Sequence, residues 1–253
     1  MVRSDRDRFA QLWDADIIYL AETHDSLEDH RAQLEIIQAL HQHQGKIAIA
    51  MEMFQRPFQE ALDRYLNGEI TEAQLQVQTE YDQRWGFDWE FYAPILRYAK
   101  AHQLPVLALN TPTEISRKVA RNGLESLTEA EKQYIPPFAE IRLDNEDYRQ
   151  QLQGIYELHA GAGHGNSSSF ERFFLAQVLW DETMADAIAR FWQNNSEYQI
   201  IVLAGRGHIQ YGYGIPSRVE RRLSRTDFVQ RSVWLGSFPE GEPQPADLDW
   251  KFE

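Results

Sequence analysis

The sequence predicts an α/β protein: a largely parallel central sheet flanked by helices, with a helical cap inserted before the last core strand. Three observations carry this. Four short segments are apolar continuously rather than alternately: residues 17–21 (Ile-Ile-Tyr-Leu-Ala), 47–51 (Ile-Ala-Ile-Ala-Met), 105–109 (Pro-Val-Leu-Ala-Leu) and 200–204 (Ile-Ile-Val-Leu-Ala). Such runs suit strands covered on both faces, and they are too short for helices. The stretches between the first three read as helices, which gives the strand–helix alternation of a parallel sheet. The third and fourth runs are separated by about 90 residues, many times an ordinary loop, so that connection must hold structure of its own.

Along the chain, residues 1–8 are charged and lack the apolar stretch of a secretory signal. After the first run, Ser26 and Asp29 form a capping-box-like opening to a helix over residues 26–40, with Leu27, Leu34, Ile37 and His41 near one face. The second run follows, and a further helix over residues 88–102 tolerates Pro94 near its first turns and leads into the third run. The long connection predicts helices at Thr113–Asn122 and over residues 144–159 and 170–192, the last with helically spaced Phe170, Phe173, Phe174, Val178, Met184, Ile188 and Phe191. Together they form the expected cap, over about residues 113–195. Within it, residues 161–169 form a glycine- and serine-rich loop carrying His164, read as a solvated loop histidine. Residues 228–235 offer a fifth, less buried strand, and the proline-bearing tail from residue 237 is expected to lie irregularly on the surface. The whole, residues 1–253, reads as a single domain.

Composition narrows the chemistry. With 25 Lys and Arg against 39 Asp and Glu, the formal charge is -14, and an acidic surface repels the phosphates that dominate nucleic-acid affinity. Nucleic acid is not an expected partner. The chain has no cysteine, which removes disulfides, thiolate ligands and a cysteine nucleophile. No apolar run approaches the roughly 20 residues of a membrane span, so a cytoplasmic protein is expected. Neither a glycine-rich dinucleotide fingerprint nor a Gly-x-Ser-x-Gly elbow is present.

The groups left to act lie at strand ends. The first run ends in Glu22-Thr-His24, the second leads into Glu52, and the fourth into Gly205-Arg-Gly-His208. Parallel strands bring their carboxyl ends to one edge, where ligands bind at the switch in strand order. Glu22 and His24, two apart, share a side if the extended geometry persists. Glu22, His24, Glu52 and His208 can therefore converge, either as ligands for Mn²⁺, Fe²⁺ or Zn²⁺ or as general bases for a hydrolysis. Individually, each also reads as a polar strand-end residue that caps a helix or meets solvent. His30 either extends the site or is a partly buried helix residue with a backbone or carboxylate partner. The pair Asp181-Glu182 divides between a site role and a structural ion pair, since an unpaired carboxylate amid apolar neighbours is costly.

Six blocks carry a resemblance: residues 21–25 (Ala-Glu-Thr-His-Asp), 51–59 (Met-Glu-Met-Phe-Gln-Arg-Pro-Phe-Gln), 84–90 (Arg-Trp-Gly-Phe-Asp-Trp-Glu), 108–112 (Ala-Leu-Asn-Thr-Pro), 179–185 (Leu-Trp-Asp-Glu-Thr-Met-Ala) and 204–216 (Ala-Gly-Arg-Gly-His-Ile-Gln-Tyr-Gly-Tyr-Gly-Ile-Pro). On these the chain resembles the ChaN-like haem-binding uptake proteins. That family is grouped with the Tiki metalloproteases and the erythromycin esterases. The resemblance implies an α/β fold, and it implies that Glu22, His24, Glu52 and His208 match the superfamily's site pattern. It further implies haem binding linked to iron acquisition, with tyrosine ligation and haem-linked dimerisation. Tyr211 and Tyr213 are the candidate haem tyrosines by their proximity to His208. Bacterial members are often lipoproteins, and this sequence has no cysteine to carry such an anchor.

Three functions follow as expectations. The first is a haem or related tetrapyrrole-binding protein linked to iron or haem handling. The alternative is a metal-dependent hydrolase, an esterase or peptidase, using the Glu/His site. The third is an adaptor that keeps the pocket without the chemistry. A homodimer is expected from the resemblance and from exposed aromatic surface at Trp85, Phe87, Trp89 and Tyr92. Replacing Glu22 or His208 by alanine should lower metal content or hydrolytic activity while leaving the fold intact.

Overall fold

A computed structural model describes residues 9–161, 169–223, 227–241 and 243–252. His164 with its glycine-rich neighbours, and the charged stretch 1–8, lie outside the described residues. Six strands form one open sheet in the order β3-β2-β4-β1-β5-β6, all parallel. They are β1 Ile17–Glu22, β2 Ile47–Gln55, β3 Val106–Asn110, β4 Gln199–Gly205, β5 Gln230–Leu235 and β6 Leu248–Trp250.

The continuous apolar runs are explained by the two faces they serve. Ile18, Leu20, Ile49, Met51, Ile201 and Leu203 point to one core, whereas Ile17, Tyr19, Ala21, Ala50, Ile200, Val202 and Ala204 point to the other. Strand side chains alternate, so a strand buried on both sides must be apolar at every position. The first core is closed by Ala32, Ile36, Ile37 and Leu40 of α1 (Leu27–Gln44) and by Tyr92, Ala93, Leu96 and Ala99. The helices α2 (Gln59–Leu66), α3 (Glu72–Gln78) and α4 (Trp89–Ala101) follow α1 in the chain, and α4 supplies the last four of those residues.

The second core is closed by helices from the carboxyl half of the chain. That half holds α5 (Thr113–Asn122), α6 (Glu146–Gly161), α7 (Phe170–Asn194) and α8 (Ile215–Leu223), of which α7 and α8 line the second core. Met184, Ala185, Ile188, Ala189 and Trp192 of α7, with Ile215, Val219 and Leu223 of α8, cover the sheet. The amino-terminal half of α7 instead turns Phe174, Val178 and Leu179 to a third cluster with Ile115 and Val119 of α5 and Tyr148 and Leu152 of α6. The expected helix Thr113–Asn122 is found with the same bounds.

Local chemistry sets the helix ends. Ser26 caps α1 by accepting the Asp29 N–H at 3.2 Å, and its hydroxyl donates to Asp29 Oδ1 at 2.7 Å. Asp88 caps α4, with Pro94 inside that helix.

Several expectations are corrected. The tail is not wholly irregular, for Leu248–Trp250 adds an edge strand beside β5. Trp89 and Tyr92, on the inward side of α4, are buried in the first core and cannot offer dimer surface, whereas Trp85 and Phe87 are partly exposed. Glu52 lies inside β2, which runs to Gln55 through a register shift after Met51, and not at its end.

Candidate functional site

The order of the strands creates the site. From β1 the chain crosses by α1, on the first face, to β2; from β4 it crosses by α8, on the second face, to β5. The adjacent pair β1 and β4 is thus the switch point, where diverging connections open a crevice at the carboxyl edge.

Glu22, the last residue of β1, shares parity with Ile18 and Leu20 and enters the first face. It is fully enclosed by partners. His24 Nδ1–H donates to its Oε1 at 2.8 Å, Tyr92 Oη–H to the same oxygen at 2.5 Å, and Gln33 Nε2–H to Oε2 at 2.5 Å. Glu52 shares parity with Ala50 and serves the second face. Its Oε2 accepts the Gly205 N–H at 2.8 Å, and its Oε1 lies 3.3 Å from His208 Nε2. His208 Nδ1–H donates to Asp181 Oδ1 at 2.6 Å, and Asp181 Oδ2 accepts from Tyr148 Oη at 2.5 Å.

Two histidine–carboxylate pairs therefore stand on opposite faces of the sheet and meet at Gly205. In register, Gly205 lies beside Glu22, and a Cβ built there would fall 2.8 Å from His24 Cε1 and Nε2 and 3.7 Å from Glu52 Oε2. The missing side chain is what lets the His24 ring lie across the strand end. Because Nδ1 is engaged by Glu22, Nε2 is the nitrogen left to act, and the His24 side chain is 27% exposed against 0% for Glu22. Trp85 and Phe87 wall the ring, with centroids 4.8 and 5.0 Å away.

Charge balance follows from these contacts. Burial works against the carboxylate of Glu52, but the charge and hydrogen bond of His208, the charge of His24 and the Gly205 N–H hold it down at about 2. Burial likewise opposes a charged His208, and the carboxylates of Glu52 and Asp181 overcome it, raising His208 well above the ordinary histidine value. His24 is raised as well: burial lowers it, while the Glu22 hydrogen bond and the charges of Glu52 and Glu22 prevail.

All four residues singled out in the sequence come to one edge, as two hydrogen-bonded pairs. Both oxygens of Glu22 and Glu52 and both nitrogens of His208 are spent on protein partners, which does not fit a resident divalent cation. Among the described residues no group of three or more His, Asp or Glu side chains is arranged to hold one. The neighbours Asp181 and Glu182 divide between the two expected roles. Asp181 orients His208, whereas Glu182, fully buried, is a structural ion pair with Arg221 and Arg222 at 2.6 and 2.7 Å. His30 is the buried helix residue: its Nε2–H donates to the His24 carbonyl at 3.0 Å, which helps fix the turn after β1. Gln33, Tyr92 and Tyr148 are contributors that the sequence did not mark.

Tyr211 and Tyr213 follow His208 in a kinked turn. Tyr211 adopts a left-handed conformation, with φ 58° and ψ 8°. Its N–H donates to the Pro245 carbonyl at 2.7 Å. The two rings lie 5.6 Å apart and both are partly exposed.

Comparison with known proteins follows the same lines. The family described as haem-binding uptake, Tiki superfamily, ChaN matches residues 8–219. A solved structure of cofacial haem binding to ChaN of Campylobacter jejuni superposes with a TM-score of 0.72 at 20% identity, covering 97% of this chain and 91% of that one. The erythromycin esterase EreC in its open conformation superposes at 0.53 with 15% identity, covering 96% of this chain and 79% of that one. Both likenesses show the fold. Protein RETICULATA-RELATED 5, chloroplastic, of Arabidopsis thaliana is 26% identical over 98% of this chain, which spans 36% of that relative's length. That name gives the cytoplasmic expectation no support. Among the described residues no helix is long and apolar enough to cross a membrane.

Proposed function

Since this chain belongs to the ChaN family of haem-binding uptake proteins in the Tiki superfamily, we propose that it binds haem or a related tetrapyrrole and serves iron or haem handling. The observation that carries the ligand's place is the Tyr211–Tyr213 turn beside His208. Both phenols are partly exposed, and among the described residues neither has a hydrogen-bond partner. A ligating phenolate needs that freedom, and the strained backbone of Tyr211 is the kind of feature that collects at ligand sites. Tyr211 or Tyr213 would hold the haem, which would supply a redox-active iron when bound. The protein's part is to present the phenol, wall the ring system and exclude water. Haemin titrations of Tyr211→Phe and Tyr213→Phe test the assignment. One variant should lose the absorption signature of tyrosinate ligation; if both keep the wild-type spectrum, the tyrosine assignment falls.

The His24–Glu22 pair favours a second reading, hydrolysis with His24 as general base. Nε2 would take a proton from water while Glu22 stabilises the imidazolium. Because the His24 value is raised above 6.5, the free base is lost as pH falls through that raised value. Ester or peptide hydrolysis should therefore rise with pH to a plateau, with a midpoint above 6.5. A pH-independent rate, or one untouched in His24→Ala, would remove this reading. We further read the helices of residues 113–195 as a cap on a single domain, and the protein as a homodimer, to be measured by sedimentation with and without haemin.

A further inference from the structure

Arg206 follows Gly205, over which the His24 ring rests, and opens the single helical turn Arg206–Ile209 that carries His208. Its Nη2–H donates to the Leu235 carbonyl at 2.5 Å, and the guanidinium stacks on Trp234, 4.4 Å from the ring centroid. These contacts fix it at the carboxyl edge between β1 and β5. Among the described residues its one carboxylate partner is Asp29, 3.5 Å away. Asp29 is already committed, accepting the Thr23 N–H and the Ser26 hydroxyl at 2.7 Å each. Among the described residues no group hydrogen-bonds the buried Arg206 Nε, yet the side chain as a whole remains 33% exposed.

A guanidinium held this way is desolvated more than it is compensated. Burial lowers the Arg206 value and the charge of Asp29 only opposes that. Asp29 is itself raised, by burial first, against the pull of its hydrogen bonds and of Arg206. Elsewhere, partly exposed arginines such as Arg84 are satisfied bidentately: its Nη1 and Nη2 donate to Glu114 at 3.0 and 2.8 Å. Planar donors fixed by stacking and by one backbone bond suit a carboxylate arriving from solvent.

We propose that Arg206 is the receptor for an anionic group of the ligand, so that the site selects a ligand carrying a carboxylate; this rests on the tetrapyrrole reading. An incoming carboxylate would supply the charge that Asp29 does not. The formal charge of -14 on the chain as a whole otherwise disfavours an anionic ligand, which a fixed cation at the carboxyl edge would offset.

The test titrates wild-type protein, Arg206→Gln and Arg206→Lys with haemin and with its dimethyl ester, in which both carboxylates are masked. Wild type should bind haemin about tenfold more tightly than the ester, the size of one charge-assisted hydrogen bond. Arg206→Gln should bind both forms alike, near the ester's wild-type affinity, and Arg206→Lys should keep part of the preference. Far-UV circular dichroism checks the fold, and the ester arm on wild type needs no variant. A wild-type protein that binds both forms equally, or a preference that survives in Arg206→Gln, overturns the proposal while leaving the tetrapyrrole reading. Binding of neither form overturns that reading and this proposal with it.

Discussion

A methyl group added at Gly205 would sit 2.8 Å from two atoms of the His24 ring, so Gly205→Ala must push the imidazole away from Glu22. Histidine NMR titration should then show the His24 value falling back towards 6.5; an unchanged value would mean the ring is not held by this contact. Burial changes what is expected of alanine variants. His208→Ala leaves Asp181 and Glu52, both buried, without their shared cation, which costs about 3–5 kcal/mol of stability. The expectation of an intact, little-destabilised protein is thus replaced by a marked fall in urea midpoint. The pair also fixes a pH window. Glu52 is depressed from 4.5 to about 2, so its contribution is present above 4.5 and lost as pH falls towards 2. His208 is raised above 6.5, so its contribution is full below 6.5 and lost as pH rises through the raised value. Urea midpoints across pH should therefore peak between about 4.5 and 6.5 relative to a Glu52→Gln variant. Glu22, His24 and His208 were legible because strand ends are marked in sequence by where apolar runs stop. Gln33, Tyr92 and Tyr148 were not, because their roles depend on how α1, α4 and α6 dock, which no local pattern records.

At the level of elements, the open edge of the sheet at β3 is guarded by one side chain. Gln59, in the first turn of α2, donates to the Val106 carbonyl at 2.8 Å and accepts the Ala108 N–H at 2.7 Å. The amide thus occupies the backbone groups that another strand would take. Gln59→Ala should lower stability by about 1–3 kcal/mol and speed aggregation in light scattering, because two groups lose their partner. Equal aggregation rates would show that the edge is protected otherwise. The four core strands and helix α5 were readable from continuous apolar runs and from helical spacing. The strand β6 was not: Leu248–Trp250 is only three residues long and half-polar, and it pairs because β5 offers an edge. The extension of β2 to Gln55 escaped notice for a related reason. Its apolar run is interrupted by Glu52, and its pairing with β3 shifts register between Met51 and Gln55.

For the molecule as a whole, a parallel sheet with diverging crossovers makes one crevice, and this chain sets two histidine–carboxylate pairs at it, with a tyrosine turn following His208 in the chain. Cores on both faces hold the edge rigid, so the site's groups sit on fixed elements. The central claim is that this edge takes a tetrapyrrole. The direct measurement is an absorption titration of the full chain, purified without added haem or metal, with haemin. A saturable Soret shift with a dissociation constant at or below about micromolar is the predicted result. Absorbance rising in proportion to added haemin, with no shift from haemin in buffer alone, would contradict the account.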